Sequence, residues 1–237
     1  MKLSIIIPVR NESATIATLI EQVRAVDCGM PKELIVVDGA STDGTREVLL
    51  SLREGPDLLL VLEDAARGKG RAVRTGFERA SGDIVMVQDA DLELEPSEIP
   101  SLLAPILNGE TDVVFGSRFK GRGRGTAPLL NYLGNLGLTW TANVLFLTRL
   151  TDILTCYKVM RADVASSLAL RCDRFDIDGE ITARLLRERR RIVEVPVTYE
   201  PRGVDDGKKL GRRAGWSILV AMLRVRFTAR LGPTRAS

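Results

Sequence analysis

VMVQDADLELEP, residues 85–96, joins an apolar run to four acidic side chains, Asp89, Asp91, Glu93 and Glu95. The full run DIVMVQ (83–88) has the length and composition of a strand buried on both faces, as strands of parallel sheets are. Such a strand ending in concentrated negative charge puts that charge at a sheet edge, and open parallel sheets bind ligands outside the carboxyl ends of their strands. Asp89 and Asp91 are two apart, so in an extended segment both carboxylates project to one side. That pair suits Mg²⁺ or Mn²⁺, which take one or two protein carboxylates and fill their other positions with water and a diphosphate. A solvated acidic turn has the same composition; the position after a buried strand favours the metal.

Working outward, strand-like and helix-like patterns alternate through the first half, as in a parallel sheet with crossover helices. LSIII (3–7), ELIVV (33–37), DLLLVL (57–62) and DVVFG (112–116) read as further strands. Helical spacing follows the first three: Ile16, Leu19, Ile20 and Val23; then Val48, Leu49 and Leu52; then a helix from about Arg71 to Ala80. The polar loops PVRNE, DGASTDG, RGKG, QDADLE and GSRFKGRGRG therefore fall at one edge and together make a site.

Two of these loops have competing readings. Asp38, ending the second strand, suits a hydrogen bond from a base or ribose, or an Asx-turn within DGAST. RGKGRA could cradle a phosphate through backbone N–H groups and Lys69. It matches neither the P-loop, where Glu63 takes the first glycine position, nor the dinucleotide fingerprint, where Val73 takes the third.

Composition narrows the chemistry. The chain has 237 residues, 45% hydrophobic and 27% charged, which favours one globular domain over a disordered protein. A net charge of +3 does not suggest a nucleic-acid binder, although basic residues gather at 118–124, 208–213 and 224–230. There is no histidine, so catalysis must run on carboxylates, arginine, lysine and a hard metal. Cys28, Cys156 and Cys172 are widely spaced and odd in number, as buried thiols of a reducing cytosol would be. The apolar run before Arg10 and Asn11 is too short for a signal peptide.

From Ala127 to Leu150, Leu129, Leu133, Leu136, Trp140, Val144 and Leu147 form a helical stripe, with too many asparagines and threonines for a membrane span. Trp216–Leu231 mixes apolar residues with arginines and is shorter than the roughly 20 residues a span needs. It reads equally as an interfacial helix or a core helix. Pro201–Gly215 reads as a mobile loop.

Taken in order, SIIIPVRNE, IVVDGASTDGT, GKGRAVRTGFERASGDIVMVQDADLELEP, DVVFGSRF, LTDILTCYKVMR, FDIDGEITARLL and VEVPVTYEPRGVDDGKKLG resemble the family 2 glycosyltransferases, in their dolichol-phosphate mannose synthase-like, or polyprenyl-phosphate, branch. The resemblance covers nearly the whole chain. It implies a GT-A fold, a Rossmann-like, mostly parallel sheet flanked by helices, with a C-terminal amphipathic helix. The single domain 1–237 would divide into a nucleotide-sugar-binding half (1–125) and an acceptor-binding half (126–237). Carried over, Pro8, Val9 and Glu12 would line the nucleoside pocket, Asp38 would contact base or ribose, and Lys69 would lie near the diphosphate. Asp89 and Asp91 would bind the metal, supported by Glu93. Arg118 and Arg202 would face the phosphates, with Lys208 and Lys209 closing over the acceptor phosphate. The DGAS loop departs from the more usual acidic DGS type, and no transmembrane tail is expected after the catalytic region.

The activity implied is inverting hexose transfer from a nucleotide-sugar, GDP-mannose first and UDP-glucose next, to a polyprenyl or dolichyl phosphate, with Mg²⁺ or Mn²⁺. The site would lie in the cytoplasm with peripheral membrane contact, and a membrane-protein partner or a homo-oligomer stays open. So do a same-fold enzyme with a soluble or diacylglycerol acceptor and a non-catalytic nucleotide-sugar-binding subunit. A nucleotidyltransferase is disfavoured because PVRNE is neither glycine-rich nor strongly basic.

Overall fold

A computed structural model describes residues 1–52, 55–120, 129–201 and 212–228. The strands are β1 (Leu3–Val9), β2 (Lys32–Asp38), β3 (Leu58–Leu62), β4 (Ile84–Val87), β5 (Val113–Ser117), β6 (Lys158–Arg161) and β7 (Ile192–Pro196). The helices are α1 (Ile16–Ala25), α2 (Thr45–Ser51), α3 (Lys69–Arg79), α4 (Ile99–Leu107), α5 (Leu129–Phe146), α6 (Ala162–Ser167), α7 (Ile177–Arg187) and α8 (Arg212–Phe227).

All seven strands share one sheet, in the order β3-β2-β1-β4-β6-β5-β7. β1 pairs in parallel with β2 and β4, and β2 with β3. β6 is inserted antiparallel between β4 and β5, and β7 joins β5 in parallel. Two reversals restore direction, so β5 and β7 end at the same edge as β1 to β4. β6 starts there, and the loops expected to converge do so.

The period-2 alternation of strand side chains divides the core between the two faces. Ile5, Ile7, Leu34, Val36 and Met86 pack with Ile16, Leu19 and Ile20 of α1 and Leu102 and Leu103 of α4. Ile6, Ile35, Val37, Val85 and Val87 pack with Val73 of α3 and Ile177 and Ile181 of α7. A third cluster, including Ala142, Ile153, Ala183, Ile218 and Met222, joins α5, α7 and α8.

Three expectations need correction, and the direction of the α5 stripe, left open by the sequence, is fixed by the fold. The segment after β4 is not extended: it turns at Ala90–Asp91, and Leu92 has φ +59°. Cys172 is only partly buried, whereas Cys28 and Cys156 are buried, and all three thiols are free. Residues 212–215, expected in a mobile loop, open α8. The stripe on α5 points outward: Leu133, Leu136, Trp140, Val144 and Leu147 are exposed, the last at 93%, while Asn135, Thr139 and Ala142 are buried. The polar side chains turn inward because a buried carboxylate, Asp152, accepts from the Asn135 amide at 3.1 Å, and Asn135 accepts from Thr139. The position of Leu129 on that stripe lies outside the described side chains. Among the described residues no helix is long and apolar enough to cross a membrane.

Candidate active site

β4 delivers the acidic loop to the edge and then stops. Asp89 donates its backbone N–H to Cys156 Sγ (3.0 Å), Asp91 Oδ1 accepts from the Glu93 backbone (3.1 Å), and the Ala90 carbonyl accepts from Thr15 Oγ1 (2.8 Å). The far side of the loop is tied to the chain after β7. Tyr199 Oη donates to Glu93 Oε2 (2.8 Å), and a single β-bridge joins Leu94 to Tyr199. Glu93 therefore turns its carboxylate to a tyrosine, and burial followed by that carboxylate raises the Tyr199 pKa.

Lys69 opens α3 and reaches the loop: its Nζ lies 2.7 Å from Asp89 Oδ1 and 3.7 Å from Asp178 Oδ2. Burial opposes its charge, but Asp178 and Asp89 outweigh burial and hold the lysine protonated well above its usual range. The flanking glycines serve packing. A Cβ on Gly68 would lie 2.5 Å from the Asp173 carbonyl oxygen, and one on Gly70 2.5 Å from that of Cys172. The Arg71 backbone N–H donates to Asp173 O at 3.1 Å. RGKG thus seats α3 against the chain leading into α7, and this close approach brings Lys69 beside Asp178. Gly70→Ala is expected to cost about 1–3 kcal/mol of stability by overpacking. A denaturant midpoint unchanged from the parent protein would contradict that packing role.

Arg118, just past β5, grips Asp152 through two bonds, Nε to Oδ2 at 2.7 Å and Nη2 to Oδ1 at 2.9 Å. The Asp152 side chain is fully buried. Burial alone would raise its pKa, but Arg118 first and Asn135 after it bring the carboxylate below its usual range. The guanidinium lies 5.1 Å from the centroid of the Tyr199 ring. Arg118 thus braces the loop carrying Glu93 from the other side. Glu194 of β7 accepts the backbone N–H groups of Thr151 and Asp152 at 2.7 and 3.0 Å, and Lys120 Nζ lies 3.3 Å from its other oxygen.

The expected nucleoside residues lie at the same edge. Pro8 and Val9 are buried at the end of β1, and the Glu12 backbone N–H donates to Thr45 Oγ1 at 2.8 Å. The Asp38 carboxylate is fully buried, accepting from Arg46 Nε (2.8 Å) and the Ser41 backbone (3.2 Å). It accepts from the backbone three residues on and so ties down the DGAST turn. Arg202, Lys208 and Lys209 lie outside the described residues.

Sequence reasoning gave no role to Asp152, Lys158, Asp178 or Tyr199. One signal was available: Lys158 interrupts the apolar CYKVM, and a lysine inside a strand needs a buried counter-ion. That counter-ion is Asp178, 2.7 Å from Lys158 Nζ.

Among the described residues no three acidic, histidine or cysteine side chains gather closely enough to hold a metal ion unaided. Asp89 and Asp91 are partly exposed carboxylates at the ligand edge, and Asp89 already attracts one cation, Lys69. The pair fits a hard divalent ion that takes few protein ligands and completes its shell with water and diphosphate.

The sequence model of the family described as Glycosyl transferase family 2 matches residues 4–168. The chain belongs to that family. Among family 2 relatives, it is 31% identical over 216 residues to the dolichol-phosphate mannosyltransferase of Pyrococcus furiosus, covering 90% of this chain and 60% of the relative. It is 38% identical over 108 residues to the undecaprenyl-phosphate 4-deoxy-4-formamido-L-arabinose transferase of Yersinia enterocolitica, covering 44% of this chain and 33% of that one. The chain thus spans less than two thirds of the length of these relatives. In fold it is similar to glucosyl-3-phosphoglycerate synthase of Mycobacterium tuberculosis, crystallised with Mn²⁺, UDP and phosphoglyceric acid. The TM-score is 0.74 at 20% identity, covering 98% of this chain and 80% of the other. That likeness supports the GT-A architecture of a mostly parallel sheet flanked by helices.

Proposed function

We propose that the protein transfers a hexose from a nucleotide-sugar to a polyprenyl phosphate, in one inverting displacement that uses Mg²⁺ or Mn²⁺. The observation that carries this reading is the acidic loop: two carboxylates at the ligand edge with a lysine against one of them. Pro8, Val9 and Glu12 would line the nucleoside pocket, with Asp38 toward base or ribose. Asp89 and Asp91 would hold the ion, with Glu93 and Tyr199 keeping their loop in place. Lys69 would meet the diphosphate. Arg118, Arg202, Lys208 and Lys209 would attract the acceptor phosphate. GDP-mannose is the first candidate donor and UDP-glucose the second.

The chemistry suits a chain without histidine. The acceptor is a phosphate monoester with a second pKa near 6, so it is largely ionised at neutral pH and needs little help from a base. Its oxygen attacks the anomeric carbon as the bond from that carbon to the diphosphate breaks, and the nucleoside diphosphate leaves. When bound, the divalent ion supplies charge stabilisation for the leaving diphosphate. The protein's part is alignment and fixed positive charge, provided by braced side chains in a partly buried site. The anomeric configuration of the product, read by NMR coupling constants, tests this: inversion is expected, and retention would overturn the single displacement.

A lipid acceptor is favoured over a soluble one by the relatives named for dolichol and undecaprenyl phosphate and by α5. No charged residue occurs from Tyr132 to Thr148, and the exposed face is apolar, with Trp140 67% exposed. On α8, Trp216 is also 67% exposed, and Arg224 and Arg226 lie toward its end. An uncharged face with aromatic and arginine flanks suits the headgroup layer of an anionic membrane. The double variant Trp140→Glu/Leu147→Glu should reduce pelleting with phosphatidylglycerol vesicles by on the order of tenfold. Its unfolding midpoint should not move, since both side chains are exposed. Undiminished pelleting would remove α5 from the proposed contact.

A further inference from the structure

Four charges alternate in a line from the protein core to the mouth of the site. Lys158 Nζ is 2.7 Å from Asp178 Oδ1, Asp178 Oδ2 is 3.7 Å from Lys69 Nζ, and Lys69 Nζ is 2.7 Å from Asp89 Oδ1. The side chains come from β6, α7, α3 and the loop after β4. Their exposure rises outward, at 1%, 13%, 15% and 28%. Lys158 is fixed at the inner end, where it also donates to the Thr155 carbonyl and lies 5.2 Å from the centroid of the Phe115 ring. Lys69 is different. It lies between two carboxylates on a flexible stem and is bonded to the one that belongs to the acidic loop.

An ammonium in contact with Asp89 lies where a divalent ion would find its first carboxylate. Two cations sharing one carboxylate in a partly buried site repel each other strongly. Asp178 offers Lys69 a second partner, and a bound diphosphate would offer a third. The line of four is neutral in sum, so a divalent ion arriving at Asp89 meets a carboxylate whose charge the lysine already balances.

We propose that Lys69 is the resident cation of the acidic loop. It competes with the divalent ion for Asp89 and gives way when a nucleoside diphosphate arrives, so that metal and donor bind together and neither binds well alone. This rests on the metal-dependent reading of the same site. Coupling of this kind is reciprocal: the factor by which nucleotide tightens metal binding equals the factor by which metal tightens nucleotide binding.

The test is Mn²⁺ binding to the whole chain, followed by the electron spin resonance of free Mn²⁺, alone and with GDP or UDP. The parent protein should bind Mn²⁺ weakly alone and much more tightly with one of the nucleotides. Lys69→Met should tighten Mn²⁺ binding in the absence of nucleotide by on the order of tenfold and lose most of the nucleotide effect. Lys69→Arg, which keeps the charge, should behave like the parent. A simple phosphate-binding lysine would leave metal binding without nucleotide unchanged, so Mn²⁺ binding to Lys69→Met no tighter than to the parent overturns the inference. If no variant binds Mn²⁺ even with nucleotide, the metal-dependent function itself fails, and the inference with it.

Discussion

Asp91→Ala should lower the kcat/KM for sugar transfer by on the order of 10³-fold while the protein stays folded. Asp91 is partly exposed on a surface turn, and its Oδ1 accepts from the Glu93 backbone. Losing that bond costs about 1 kcal/mol of stability, which a folded domain tolerates. The functional loss is far larger because the other carboxylate, Asp89, is already engaged by Lys69. Without Asp91 the loop would present a carboxylate neutralised by its own lysine, and charge stabilisation of the leaving diphosphate would be lost. Steady-state kinetics paired with a thermal melt separate the two effects. A folded variant within tenfold of the parent would remove Asp91 from the proposed mechanism.

Asp152→Ala should have the largest effect on stability. It would leave the Arg118 guanidinium, only 19% exposed, without the carboxylate that holds it through two bonds, and would release the Asn135 amide as well. Breaking a buried ion pair from one side costs about 3–5 kcal/mol, because the remaining charge is stranded. Removing both partners, as in Arg118→Met/Asp152→Leu, should recover much of that loss. Denaturant unfolding of the three proteins checks this. Equal stability of the single and double variants would mean that the stranded charge is not the source of the cost. The single variant should also lose activity beyond its loss of folded protein, since Arg118 lies against the Tyr199 ring that positions Glu93.

The first five strands were legible because each is a continuous apolar run in an alternating chain; four are buried on both faces, and β3, at the sheet edge with Leu59 and Leu62 exposed, keeps the same pattern. β6 and β7 were not. β6 has four residues and contains Lys158; β7 contains Glu194, which reaches back to Thr151 and Asp152. A charge inside a short strand erases the hydrophobic signal, and only the tertiary partner explains why it is there. The antiparallel insertion of β6 between β4 and β5 was equally hidden, since pairing across more than 70 residues leaves no local mark. α5 was legible as a stripe but not in its orientation. Its apolar stripe was easy to see, yet it faces outward, because the buried Asp152 carboxylate draws Asn135 inward.

The acidic loop was legible in position, because a buried strand must end somewhere and this one ends in carboxylates. Its company was not: Lys69, Asp89, Lys158 and Asp178 meet only through the fold, so no spacing predicts their line of ion pairs. The same holds for Asp38. Its turn chemistry was visible in DGAST, and the carboxylate does accept from the Ser41 backbone and from Arg46, a partner that no local spacing announced.

The most direct test of the central claim is sugar transfer from GDP-mannose, UDP-glucose and UDP-GlcNAc to a short-chain polyprenyl phosphate, with Mg²⁺ or Mn²⁺ and again with EDTA. The account predicts transfer from one of these donors, lost in EDTA and restored by excess metal. Transfer that persists in EDTA, or that proceeds to a soluble phosphorylated acceptor and not to the lipid, would contradict it.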